Sequence, residues 1–169
     1  MGISRINVVA DAGPLLHLAE IGGLSLLNQF AQLHIPEAVE REVQRQGLIF
    51  WPDISGRPDL QRHTLSQADI LRFIKTNHLE ELHAGERECL YLCQHIGVLV
   101  LLTDDLAGRD AAKALHLTPV GSLGVVVRAY RMGRISLSEA EHDLTKLYDV
   151  SSLFVTRTIV DLAMEQLHK

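Results

Sequence analysis

Apolar residues along the chain follow two rhythms. Short continuous runs alternate with stretches in which apolar positions recur three and four apart. The stretch NVVADAGPLL (7–16) joins the two: Ile6, Val8 and Val9 supply the bulk of a buried strand that runs into Asp11. Gly13-Pro14 then ends the extended run, and Leu15, Leu16 and Leu18 begin a helical pattern. From Pro14 to Leu27 the pattern predicts a helix, a break at Gly22-Gly23 and a second short helical piece. Leu33-His34-Ile35 reads as a strand, followed by a helix with Pro36 at its first position, running to about Gln46 and closed by Gly47. Residues 48–65 are the least readable stretch, with Trp51-Pro52, Gly56 and Arg57-Pro58 marking loop and no element assigned.

Ser66-Gln67-Ala68-Asp69 has the form of a capping box with Asp in the acidic position, opening a short amphipathic helix. LHAGERECLYLCQHIG is a helix ended by Gly97, and Val98–Leu102 is the clearest strand in the sequence. LAGRDAAKALHL is helical by its alanines, and Thr118-Pro119-Val120 is a fourth strand. Ser122 reads as the cap of a helix reaching Gly133, and Ser138-Glu139-Ala140-Glu141 opens another running to about Tyr148. Residues 149–156 read as a turn with a short extended piece. The last helix, Arg157 to Leu167, is expected to set Ile159, Leu162, Ala163 and Leu167 on one side. Strands alternating with helices predict an α/β chain, a three-layer α/β/α sandwich with a mainly parallel central sheet, formed by residues 1–169 as one domain. In such a sheet the strand ends, and with them Asp11 and Asp104-Asp105, collect on one edge.

Two further acids sit where burial penalises charge. On a wheel of about 100° per residue, Ala38 and Val39 bracket Glu42, and Val43 extends the same arc. In the later helix Glu86 falls between Leu90 and Cys93, whereas Glu88 and His95 fall on the opposite face. Singly each acid has a structural explanation: Asp11 as an N-cap, Glu42 as a packed stem with its head in solvent, Glu86 as a first-turn acid on the helix dipole. Together they form a candidate cluster. Gathered carboxylates without basic partners need a counter-charge, and an oxygen-only set without His or Cys at ligand spacing suits Mg²⁺ or Mn²⁺. The chemistry such clusters serve most often is phosphodiester hydrolysis.

Composition narrows the picture further. With 169 residues, 47% apolar, and a formal charge of −5, the chain is neither disordered nor broadly basic. Nucleic-acid binding would have to use a local Arg/Lys patch or bridging metal ions. Cys89 and Cys93 lie four apart on one helical face as small hydrophobes, which fits a reducing, cytoplasmic setting. No apolar run reaches the roughly twenty residues that span a bilayer, and no signal-like stretch opens the sequence. The nine His residues, His17 and His83 near the acids among them, show no ligand spacing.

VVADAGPLLHLAEIG, IPEAVEREV, AGERECLYLCQHIG and VLLTDDLAGRDAAKALHL, in this order, with VGSLGVVVRAYRMGRI beyond them, resemble the PIN-domain ribonucleases over nearly the whole chain. They are most similar to a prokaryotic PIN-like subgroup related to the toxins of VapC-type toxin–antitoxin pairs. The resemblance implies a metal-dependent endonuclease acting on single-stranded RNA, usually dimeric, with a small antitoxin-like partner. It places the family's acids on Asp11, Glu42, Glu86 and the Asp104-Asp105 pair. An alignment on Thr103 selects Asp105, and the nearer subgroup pattern selects the favoured Asp104. Thr103 and Arg109 are the expected substrate-facing positions. Gly13 stands where PIN domains often carry Ser or Thr, removing a hydroxyl that would orient metal or water. That departure supports an alternative, a catalytically weak scaffold that binds RNA or a regulatory protein. A receiver-like domain accepting phosphate on Asp104 lacks a suitable late-strand Lys.

Overall fold

The computed structural model describes residues 4–169. Five strands form one sheet in the order β3-β2-β1-β4-β5, every neighbouring pair parallel. They are β1 (Asn7–Ala10), β2 (Gln32–Pro36), β3 (Leu60–His63), β4 (Val100–Leu102) and β5 (Thr118–Val120). Successive residues of a strand point to opposite faces, and Val8, Val9 and Ala10 are all fully buried, so the central strand is covered on both sides. This is the α/β/α arrangement the alternating pattern predicts.

The chain leaves β1 toward β2 and β3 on one side, then returns across the sheet to place β4 on the other. A parallel sheet opens a crevice at the carboxyl ends of its strands where the order reverses, here between β1 and β4. Register fixes what stands there. Val9 pairs with Leu101 and Ala10 with Leu102, and the Asp11 N–H donates to the Leu102 carbonyl (2.9 Å). Asp11 and Thr103 therefore emerge side by side.

The helices are α1 (Ala12–Glu20), α2 (Glu37–Gln46), α3 (Trp51–Ser55), α4 (Gln67–Asn77), α5 (Ala84–Ile96), α6 (Leu106–Ala114), α7 (Ser122–Arg131), α8 (Leu137–Asp149) and α9 (Arg157–Gln166). Helix α5 lies on β1, β2 and β4 and packs on α2, while α7, α8 and α9 pack in succession at the far end of the chain. None of the described helices is long and apolar enough to cross a membrane. Cys89 and Cys93 are buried on α5, and burial pushes the Cys93 thiol up to about 12 and the Cys89 thiol well above the usual range. Both act as hydrophobes.

Several local expectations are corrected. Gly13 and Pro14 do not end an extended run; they lie inside the first turn of α1, which starts at Ala12. The stretch marked only by loop signals holds a 3-10 turn, α3 and the edge strand β3, whose LQRH sequence has no apolar alternation to announce it. Pairing of β3 with β2 brings His34 Nδ1 within 2.9 Å of His63 Nε2. The run Val98–Leu102 is strand only from Val100, with Leu99 66% exposed. Residues 149–156 form no strand, and on α9 Ile159 and Leu162 face solvent while Val160 is buried, as is Leu167 just beyond the helix.

Glu88 is the largest departure from the helical wheel. It is 5% exposed, its Oε1 accepting the Ala38 N–H at 3.3 Å and its carboxylate standing 4.0 Å from the Arg41 guanidinium. The wheel omits α2, whose N-terminus presents free N–H groups that a carboxylate satisfies. Glu88→Ala is expected to lower the unfolding free energy by about 1–2 kcal/mol, measured by urea denaturation, with Glu88→Gln retaining most of the stability because its amide oxygen can still accept.

Candidate active site

Asp11 follows β1 directly and caps α1, its Oδ1 accepting the Ala12 N–H at 2.8 Å. Its Oδ2 accepts the Thr103 hydroxyl at 3.3 Å across the β1/β4 seam. One oxygen caps the helix and the other joins the two strand ends. At 5% exposure the carboxylate is nearly sealed.

Glu42, in the second turn of α2, and Glu86, in the first turn of α5, enter the same cleft. Gly85 leaves room for Glu42 to come close to Asp11 there: a Cβ at that position would stand 3.2 Å from both Asp11 Oδ1 and Glu42 Oε2. Glu42 Oε1 accepts from Gln46 Nε2 at 3.0 Å. Glu86 Oε2 is buried with no hydrogen-bond partner. A buried carboxylate oxygen left without a partner is costly, and a proton, an ordered water or a cation would each relieve it.

After β4 the chain contributes Thr103, Asp104 and Asp105. Thr103 is fully buried, so it does not face substrate as expected; its hydroxyl also accepts the Asp105 N–H, at 3.3 Å, and thereby links the two strand ends. Asp105 caps α6, its Oδ2 accepting the Gly108 N–H at 2.8 Å. Asp104 turns the other way. Its Oδ1 accepts the Ser122 N–H (2.7 Å), and its Oδ2 accepts the Ser122 hydroxyl (2.6 Å) and stands 2.7 Å from His17 Nδ1. A side chain at position 121 would come within 2.8 Å of Asp104 Oδ1, so Gly121 is what lets α7 bring Ser122 to that carboxylate. Ser122 is thus the first residue of α7 and not its cap, which is Gly121.

His17 and Ser122 are the site residues that sequence reasoning missed. For His17 a signal existed, since it lies four residues after Gly13 on the same helical face, and the imidazole occupies space beside that glycine, 3.5 Å from where a Cβ would stand. Arg109 reaches the site's edge and donates to the Thr103 carbonyl at 3.3 Å.

The resulting cleft, of about 310 Å³, is walled by Asp11, Glu42, Glu86, Asp104, Asp105 and His17, with Ser152, Leu153 and Phe154 at its rim and no Lys or Arg. Among the described residues no group of three or more His, Cys, Asp or Glu stands ready-arranged to hold a metal ion. The electrostatics are those of crowded acids. Burial, then Glu86 and Glu42, push Asp11 up to about 7 against the opposing pull of the Ala12 N–H and the Thr103 hydroxyl. Burial raises Glu86 too, with Asp105 the leading charge beside it and Glu42 a lesser one.

A family profile of the PIN domain matches residues 7–169. The chain belongs to the PIN-domain family. No curated protein matches it. The PIN fold is a nuclease-type fold whose members typically use divalent metal ions, and this PIN domain sets its acids at the strand-end crevice of that fold.

The raised Asp11 has a measurable consequence. Its folded carboxyl holds a proton up to about pH 7, whereas the unfolded chain releases it near 3.8, so Asp11 erodes metal-free stability as pH climbs between those values and the full cost remains above them. The cost is on the order of 4 kcal/mol. Asp11→Asn in EDTA is expected to melt above wild type at pH 8, with the difference fading toward pH 4, as followed by thermal unfolding across that range.

Proposed function

We propose that this PIN domain is an endoribonuclease that hydrolyses single-stranded RNA with Mg²⁺ or Mn²⁺ held by Asp11, Glu42, Glu86 and Asp105, with Asp104 supporting the site from beside them. The observation that carries the reading is the meeting of acids from four separate elements in one cleft without Lys or Arg, one of their oxygens buried and unpartnered. Hard oxygen donors fit a divalent cation of this class. When bound, such an ion offsets the carboxylate charge, activates water and stabilises the charge on the attacked phosphate.

The protein's own groups divide the remaining work. Asp105, the leading charge beside Glu86, supplies the fourth ligand on this reading. Asp104, its carboxylate shared by Ser122 and His17, holds the imidazole at the edge of the cleft. Thr103 keeps Asp11 and Asp105 in register from behind. The dimer and small antitoxin-like partner implied by a VapC-type relation belong to the same reading. Light scattering of the purified protein tests the dimer.

Incubation of labelled single-stranded RNA with purified protein and Mn²⁺ tests the activity. Wild type is expected to cleave internally and EDTA to stop it. Asp11→Asn, Glu86→Gln and Asp105→Asn are expected to lose more than the roughly 10–100-fold that changes behind metal ligands cost, with Asp104→Asn falling inside that range. Cleavage that survives Asp11→Asn would overturn the mechanism. RNA binding without Mn²⁺-dependent turnover would instead establish the weak-scaffold reading, which Gly13 and the hydrogen-bonded state of Asp104 favour.

A further inference from the structure

The acid cleft continues into a larger groove of about 1180 Å³ that runs along α6, β5, α7 and α9. Asp104, Leu153 and Phe154 border both spaces. The charge reverses between them. Among the described residues Asp104 is the only acid on the groove's walls, against Arg109, Arg128 and Arg131. Among the described residues none of these three guanidinium groups has a carboxylate within 4.0 Å. Their partners are neutral: Arg109 donates to the Thr103 carbonyl, Arg128 to Gln29 Oε1 at 2.9 Å and Arg131 to Gln166 Oε1 at 2.8 Å. Neutral acceptors orient a guanidinium without cancelling its charge, so the three cations remain available to an anion.

Phe154 is 98% exposed. The turn that carries it is tied down, because Ser152 donates through its hydroxyl (2.7 Å) and its N–H (3.2 Å) to the Glu20 carboxylate of α1. A large aromatic held in water at the junction of an acid cleft and an arginine-lined groove is placed to stack on a base as the strand passes from one to the other.

We infer that this groove is the track along which single-stranded RNA lies next to the acid cleft, its phosphates on Arg109, Arg128 and Arg131 and one base against Phe154. The inference rests on the ribonuclease reading only for where the scissile bond falls. Charge selects this occupant: a polyanion that enters a cleft of carboxylates needs an exit of opposite sign, and a chain of net charge −5 concentrates three carboxylate-free arginines there.

Fluorescence anisotropy with a fluorescein-labelled, mixed-sequence 20-nucleotide single-stranded RNA in EDTA tests binding apart from cleavage. Phe154→Ala and Arg131→Ala change exposed side chains, and their melting temperatures report whether the fold is kept. Each is expected to weaken binding roughly 5- to 10-fold, and Arg131→Ala to reduce the slope of log K against log salt by about 0.7. Wild-type affinity in both variants overturns the inference. So does a change of mass in light scattering with RNA affinity intact, which would make the groove a contact between copies. If wild type binds through these residues yet does not cleave with Mn²⁺, the ribonuclease reading fails and the track stands. If it cleaves while both variants bind normally, the track fails alone, and a wild type that binds no RNA in EDTA likewise overturns the track and leaves the ribonuclease reading to the Mn²⁺ cleavage assay.

Discussion

Like charges forced together out of water set the terms for this protein. A carboxylate as enclosed as Asp11 gains nothing from its neighbours Glu86 and Glu42 in the ionised state; each raises the cost of the others. The fold tolerates the arrangement by spreading its support over local donors. Ala12, Gly108 and Ser122 each give a backbone N–H to one of the acids, and three successive strand ends, those of β1, β4 and β5, are aligned so that these N–H groups converge. The parallel order does this geometrically: helices leave the carboxyl ends of the strands, and their first N–H groups point back toward the acids.

Close approach is the second requirement, and glycine meets it at three places. Gly85 admits Asp11 and Glu42, Gly108 lies against Glu86 and Thr103, and Gly121 admits Asp104. All three lie at or within the first turns of helices that face the cleft, where even a methyl group would press on a carboxyl-bearing side chain or its support. Gly13 differs. A Cβ there would meet His17 and Asp104 only at ordinary contact distance, so the space is open to a small side chain and the imidazole already borders it.

Elements with strong apolar periodicity were legible in the sequence, and so were the acids they carry. Asp11, Glu42 and Glu86 stood out because polar residues interrupted otherwise apolar runs or arcs, and the structure brings all three to one cleft. What escaped notice depends on partners distant in sequence. Glu88 looks exposed on its own helix because α2 is missing from a one-helix projection. Ser122 carries no periodic signal, His17 only its place one helical turn after Gly13, and their relation to Asp104 exists only once β1, β4 and β5 lie side by side. The edge strand β3 is polar because it has one neighbour and half-exposed faces, so pairing with β2 defines it where composition cannot.

The seam between β1 and β4 has a consequence for how the chain acquires its chemistry. Thr103 and Asp11 are 92 residues apart, and every helix bearing the other acids lies between or beside them. Contacts of such separation demand the closure of a long loop before they return any favourable energy. A chain caught part-way through folding, with β1 not yet beside β4, holds its acids dispersed and solvated. It carries the acids without the cleft, which exists only once β1 and β4 are paired.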